Sequence, residues 1–433
     1  MTTRRIWVVL LIFTLVVVNY MDRVALSIAA HPIATEFHLS PVQMGYLFSS
    51  FLWTYVICLV PLGVLVERSG AKRMVACGIA LWSLATAATA LAWGFTSVLV
   101  ARLVMGASEA SSYPSCGRVV RDWIPERERG VVTTLFNGGS TAGPAIGALV
   151  AATLISHIGW RATFVALGVV GFVWLAFWQF RFDQPERASW LPEAERSMIL
   201  ETRNGQRDAS EAAPSAILYL LRQRTVWGLV IAQACVVYTA YLLMTWLPTY
   251  LQTTRHVSLQ ETGYLTSAAY FCALVIGLGI ARVSDRMLSS TAILNGGRRI
   301  FTAGLAAISL VILAAPHAGS LFTLMVILVV VLTGSTTASG INFAIASDVL
   351  RNPRDVSRVT SIVAFGGNSF GLAAPIMTGY AVSITGGYTV AFRIAAALLL
   401  CGVIAVLTMV RRPVHAENGA DKMPAEFPEL QIT

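Results

Sequence analysis

This sequence predicts an all-α polytopic membrane protein whose twelve transmembrane helices form two six-helix repeats. Three observations predict it. The 433 residues are 56% hydrophobic and only 12% charged, with a mean hydropathy of +0.69, far too little polar surface for a water-soluble globule. Apolar runs of about 20 residues, the length a helix needs to cross a bilayer, recur along the chain. The same glycine, proline and aromatic punctuation then returns in the second half at one fixed offset.

The runs fall in order at 6–30, 42–66, 74–93, 97–117, 131–155 and 162–181, then at 225–250, 261–283, 300–316, 320–347, 359–383 and 388–410. The first is too long for a signal-peptide core, lacks a small-residue cleavage site and carries Asp22 beside Arg23, so it reads as a retained helix. The fourth carries Arg102 and Glu109; the seventh, tenth and eleventh carry Gln233, Asn342 and Asn368. These spans divide the chain into a bundle at 1–181, a charged linker at 182–224, a second bundle at 225–410 and a tail at 411–433. The linker has the composition of short amphipathic helices lying on a membrane surface. The tail, polar and without apolar periodicity, reads as disordered.

A formal charge of +9 does not point to nucleic acid, because the basic residues cluster in alternate loops, as the positive-inside rule requires. Arg4, Arg5, Arg68, Lys72, Arg73, Arg118, Arg121, Arg127 and Arg129 share one side with Arg282, Arg286, Arg298, Arg299, Arg351, Arg354 and Arg358. The opposite loops hold only Arg161 and Arg255. Both termini are therefore expected in the cytoplasm. The six cysteines lie in or beside apolar runs with no metal-ligand spacing, so no metal or cofactor is expected.

The duplication is read from Gly138, Gly139 and Gly143, which return as Gly366, Gly367 and Gly371, 228 residues later. Pro125 and Pro353, Gly159 and Gly387, Trp160 and Tyr388, and Phe164 and Phe392 share that offset. Glu67 and Arg68 return as Asp285 and Arg286 at a smaller offset, which an insertion in the loop that follows would reconcile. An offset of six helices preserves orientation, giving parallel repeats, and transporters built this way bind substrate between the halves near the midplane.

A charged side chain at the bilayer centre costs about 2.5 to 3.5 kcal/mol on insertion scales and normally faces a partner, a water-filled cavity or a transported ion. Arg102 and Glu109, seven residues apart, lie on one face of a helix, about 10 Å apart along its axis. Asp22 and Arg23 lie about 100° apart around theirs and serve different faces. A carboxyl whose environment changes as a nearby arginine comes and goes is a proton switch. No histidine falls inside a span, so these carboxylates are the proton-carrying candidates.

The loop Gly63-x-x-x-Glu67-Arg68-x-Gly70-x-Lys72-Arg73, with twelve spans and a duplicated half, resembles the major facilitator superfamily over nearly the whole chain. Within it, Tyr20-Met21-Asp22-Arg23, Trp53-Thr54-Tyr55 and Arg102-x-x-x-Gly106-x-x-Glu109-x-x-x-Tyr113-Pro114 resemble the anion:cation symporter family of sugar-acid and other organic-carboxylate transporters. The resemblance implies that Arg23 binds the substrate carboxylate, that Tyr20 and Tyr55 line the pocket, that Asp22 and Glu109 carry protons, and that Arg102 holds Glu109 when ionised. Gln233 matches a position that contacts sugar hydroxyls; with Asn342 and Asn368 it serves either the pocket or interhelical hydrogen bonds. Ala364 before Phe365-Gly366-Gly367-Asn368, and Asn342 where tryptophan is usual, point away from a galactonate-like substrate. Glu67 and Arg68, with Asp285 and Arg286, are implied gating residues on the cytoplasmic side.

The implied protein is a monomeric proton symporter of a small organic anion in the cell (inner) membrane. An organic-anion exchanger is the alternative, although a phosphorylated substrate would call for an arginine from each half, and spans seven and ten hold none. A transporter-derived sensor ranks lower, since linker and tail are too short for a signalling domain. No nucleophile and base pair or phosphate loop suggests an enzyme.

Overall fold

The computed structural model describes residues 4–208, 215–287, 296–350 and 353–410, and the statements below concern these. The expected tail and the insertion between Met287 and Gly296 lie outside them.

In the first half, α1 (Ile6–Ile28) leads through the short α2 (Ala30–Glu36) into α3 (Pro41–Ser69) and α4 (Ala71–Ala88); α5 (Phe95–Glu109) and α6 (Ser112–Trp123) follow, then α7 (Glu126–Arg181). The linker contains α8 (Glu193–Asp208) and α9 (Ile217–Arg222). The second half runs α10 (Arg224–Thr254), α11 (Leu259–Met287), α12 (Gly297–Ile308) with a 3-10 extension to His317, α13 (Leu321–Val349), α14 (Pro353–Gly371), α15 (Ala373–Thr385) and α16 (Thr389–Met409).

Ten helical segments among the described residues are long and apolar enough to cross a membrane. One of them, within α7, reverses at Gly159, whose φ of 77° only glycine adopts freely, and so makes two crossings. The broken pair α5 and α6, of 15 and 12 residues and each too short to cross alone, forms a further crossing, consistent with the twelve expected from the sequence. The second crossing starts at a capping box, with Ser40 Oγ accepting from the Gln43 amide and Gln43 Oε1 from the Ser40 amide, and Pro41 follows at the first helical position.

The repeated glycines show what the duplication preserves. A Cβ at Gly143 would lie 2.5 Å from Tyr20 Cβ, and one at Gly371 would lie 2.8 Å from the Tyr241 ring, so α7 presses on α1 as α14 presses on α10. Gly138 differs, having open space around it.

The halves meet at the end of the molecule away from the chain termini. There a Cβ at Gly45 would lie 2.6 Å from the Pro375 carbonyl oxygen, and one at Gly379 would lie 2.5 Å from that of Pro41. Ser49 Oγ donates to the Leu372 carbonyl at 2.6 Å, the Tyr46 and Tyr380 hydroxyls meet at 3.1 Å, and Phe48 packs edge-on against Trp246. Placing a valine at Gly45 removes this contact. The expected result is labelling of a Ser49→Cys reporter by an impermeant maleimide that is at least about tenfold faster. Unchanged labelling would show that the seal does not depend on this approach.

Also at the far end, Glu36 accepts from Arg161 Nη2 at 2.5 Å and from Trp160 Nε1 at 2.7 Å, binding α2 to the Gly159 bend. The bonds from Arg161 and then Trp160 hold the Glu36 carboxyl below its usual range. A carboxyl depressed on folding adds stability above its unfolded value, near pH 4, and loses it as pH falls through its folded value. Glu36→Gln therefore lowers the melting temperature slightly at pH 7, the pair being exposed. The difference from wild type shrinks as pH falls below about 4 and is gone only once pH is below the folded value; a difference independent of pH would contradict the ionic origin.

At the terminal side, the linker fastens to both halves. Arg5 joins Glu128 at 2.9 Å and Glu195 at 3.7 Å, and the rings of Trp123 and Trp190 stack at 5.4 Å. Asp355 accepts from the Ser215 amide and hydroxyl at 2.8 and 2.6 Å. Glu128 and Asp355 stand near the starts of the repeat-related helices α7 and α14.

Candidate central binding site

The site begins with a close approach of two helices. A side chain at Gly106 would collide with the Phe51 carbonyl, and Thr54 Oγ1 donates to the Leu103 carbonyl at 2.7 Å, so α5 lies directly on α3. Glu109, one turn beyond Gly106 and fully buried, is thereby held beside Phe51 and Tyr55 and opposite α1.

From α1, Arg23 Nε donates to Glu109 Oε2 at 2.9 Å, with side-chain exposures of 3% and 0%. The Arg23 guanidinium carbon lies 4.2 Å from the Phe51 ring centroid, 4.5 Å from Tyr20 and 5.1 Å from Tyr55. A weakly hydrated planar cation suits such an aromatic surround better than an ammonium. Asp22, on the neighbouring face of α1, is turned toward Glu109, Arg102 and the Trp82 indole of α4.

The pairing differs from the sequence expectation at one point: Arg23, not Arg102, holds Glu109. Arg102 stands two turns away on Glu109's own helix, whereas Arg23 reaches it from the facing one. The Arg102 Nη1 donates instead to Met105 Sδ at 3.1 Å, and its guanidinium carbon lies 5.4 Å from Phe51. Unused hydrogen-bonding capacity remains in the cluster. Arg23 Nη2, Glu109 Oε1, Asp22 Oδ2, Arg102 Nε and both amide atoms of Asn19 are buried without a partner among the described residues. In a low-dielectric setting such atoms call for water, a proton or a ligand.

The second half closes over Arg23 with Tyr241 from α10, whose hydroxyl is close enough to sense Arg23, Tyr20 and Tyr55, while Tyr270 of α11 faces Tyr20. Tyr113 of α6 also adjoins Tyr20 and Tyr55. Phe51, Tyr241 and Tyr270 carry no motif in the sequence, and Tyr113 only its place beside Pro114 in one. The duplication carried the signal for Tyr241, because the glycine that seats it is the repeat of the glycine that seats Tyr20.

The three amide candidates hydrogen-bond within the second half. Gln233 Nε2 donates to Ser339 Oγ at 2.7 Å, and Asn342 Nδ2 donates to Gln233 Oε1 and to the Leu229 carbonyl, each at 3.0 Å. Asn368 Nδ2 donates to the Ala364 carbonyl of its own helix at 3.0 Å. Of the gating candidates, Glu67 receives two bonds of 2.8 Å from Arg121, and Arg118 donates to the Val66 and Glu67 carbonyls at 2.6 Å. Arg68 and Arg286 are exposed; the Asp285 side chain lies outside the described residues. No group of histidine, cysteine or acidic residues that could hold a metal occurs among the described residues.

The family model of the Major Facilitator Superfamily matches residues 12–351. A probable L-galactonate transporter of Escherichia coli K12 is 30% identical over 412 residues, covering 94% of this chain and 89% of its own. The hexuronate transporter of Bacillus subtilis 168 is 31% identical over 424 residues, covering 96% of each. A crystal structure of a bacterial homologue of the human lysosomal transporter Spinster, inward-facing and occupied, superposes with a TM-score of 0.70 at 19% identity, over 93% of this chain and 95% of that one.

Proposed function

This chain belongs to the major facilitator superfamily, making it a multi-pass membrane transporter and not an enzyme, and we propose that it imports a small organic anion by proton symport with alternating access. The anion is a sugar acid or another carboxylate, in keeping with the sugar acids named for its relatives. One observation carries the reading most: a buried Arg23–Glu109 pair whose remaining polar atoms are open, set where the two halves meet.

The chemistry follows from conserving charge in a desolvated place. While Glu109 is ionised it is the countercharge of Arg23, and breaking a buried pair without replacement costs about 3 to 5 kcal/mol. A proton on Glu109 removes that countercharge, and an incoming carboxylate supplies a new one through charge-assisted hydrogen bonds to the guanidinium. Proton and anion therefore enter together. Asp22, beside Glu109 and Arg102, takes a second proton or relays the first. Arg102 then acts on the carboxylates by its charge. Tyr20 and Tyr55 position the guanidinium, while Gln233, Asn342 and Asn368 shape the wall contributed by the second half.

In this reading the basic loops place both termini in the cytoplasm of a cell (inner) membrane. The seal at Gly45, Gly379 and Tyr380 then closes the outer side, and the protein is inward-facing. The bundles 1–181 and 225–410 rock against each other across the linker 182–224, and Glu67 and Arg68, with Asp285 and Arg286, latch the cytoplasmic side when the outer side opens. The protein works as a monomer without a cofactor, its coupling ion a proton.

Uptake driven by a pH gradient into proteoliposomes tests the proposal. Accumulation of one carboxylate above its external concentration, abolished by a protonophore, is the expected result. If preloaded vesicles exchange that carboxylate and no gradient drives accumulation, the protein is an organic-anion exchanger.

A further inference from the structure

Resting on the reading of Glu109 as a proton carrier, we propose that Asn19 is a positioning residue for that proton. Its amide stands unused while Glu109 is paired with Arg23, and it accepts the Glu109 O–H once the proton has arrived.

Asn19 and Arg23 lie four residues apart on α1, hence one above the other on a single face of that helix. That face meets Glu109: Arg23 Nε donates to Oε2 at 2.9 Å, and Asn19 lies within reach of the same carboxyl. In the paired state, however, the amide makes no bond there. Asn19 is 1% exposed, and its Nδ2 and Oδ1, like Glu109 Oε1, are buried without a partner among the described residues. A membrane helix gains nothing from a buried, unpartnered amide, and a leucine at this position would suit the fold better. The amide therefore answers to another state of the site.

Its chemistry identifies that state. An ionised carboxylate only accepts hydrogen bonds, and Arg23 already supplies a donor, whereas a carboxylic acid adds an O–H that needs an acceptor. The titratable groups facing Glu109 are Arg23 and Asp22 of α1, Arg102 of its own helix, Tyr55 of α3 and Tyr241 of α10. The two guanidiniums have no acceptor, and Asp22 when ionised competes for the proton itself. Both tyrosines gather about Arg23, where the anion is to bind. Asn19 Oδ1 takes the O–H without taking the proton, and its neutral amide leaves the charge of the site unchanged. Protonated Glu109 is thus held aside while Arg23 turns to the incoming anion.

The test is infrared difference spectroscopy of the purified full-length protein, titrated with acid and without added substrate. The protonated Glu109 carboxyl is the C=O band lost in Glu109→Gln and kept in Asp22→Asn. Asn19→Leu removes both hydrogen-bonding atoms at nearly constant size. In that variant the band should move to higher frequency, as it does when a carboxylic acid loses its hydrogen bond, and should reach half its height at a pH about one unit lower. A merely structural Asn19 would alter the melting temperature and leave the band where it is. If band and titration are the same in Asn19→Leu and wild type, this inference falls while the proton-symport reading stands. If Glu109→Gln loses no band at any pH where the protein is folded, Glu109 takes no proton and both fall. Should Asn19→Leu not fold, the wild-type band still decides: the frequency of an unbonded carboxylic acid overturns the inference, and a hydrogen-bonded frequency that Asn19→Ala raises supports it.

Discussion

Arg23→Ala abolishes transport and weakens binding of the carboxylate by about 100-fold or more. Truncating one member of a buried, hydrogen-bonded charge pair costs about 2 to 5 kcal/mol, and every 1.4 kcal/mol is tenfold in affinity. Here the loss falls twice, on the proposed anchor of the substrate and on the countercharge of Glu109. Arg23→Lys separates charge from shape. Lysine keeps the cation, so the protein folds with nearly wild-type stability. It lacks the planar fork and the ring stacking that Arg23 makes with Phe51 and Tyr20, so affinity stays at least about tenfold below wild type. Direct binding measurements on both variants, with melting temperatures as a control for folding, check this. Wild-type affinity in Arg23→Ala would remove Arg23 from the site.

Glu109→Gln keeps the shape of the side chain and removes its proton chemistry. Gln is neutral at every pH, so Arg23 is left without its countercharge, as when Glu109 is protonated. Proteoliposomes carrying this variant should exchange the substrate at rates within about threefold of wild type, yet show no accumulation under a pH gradient. Substrate affinity, falling with rising pH in wild type as Glu109 competes for Arg23, should become flat with pH in the variant. Uphill uptake by Glu109→Gln would transfer the proton role to Asp22.

The two halves and their helices were legible because the bilayer imposes a simple rule on composition and the duplication left glycines at one offset. Gly143 and Gly371 even predicted which tyrosines face each other, had the offset been followed to the helices they seat against. The Arg23–Glu109 pairing was not legible. Spacing relates residues along one helix, which is why Arg102 suggested itself as the partner, but partners across helices depend on how far α5 sinks onto α3 at Gly106. The network of Gln233, Ser339 and Asn342 was hidden for the same reason, since its members come from two helices brought together only by packing. The interruptions after Glu109 and at Leu372 have a visible cause in Pro114 and Pro375, which cannot donate to the carbonyls of Ala110 and Gly371 four residues back.

The seal between the halves rests in part on main-chain atoms, the carbonyls of Pro375 and Pro41 against Gly45 and Gly379. The ligand-facing surface is made of side chains on other turns. Over evolutionary time these two parts are free to diverge independently: residues that choose the cargo can be exchanged one by one without disturbing the surfaces that must fit at each cycle. A lineage can therefore acquire a new nutrient while inheriting its moving parts intact.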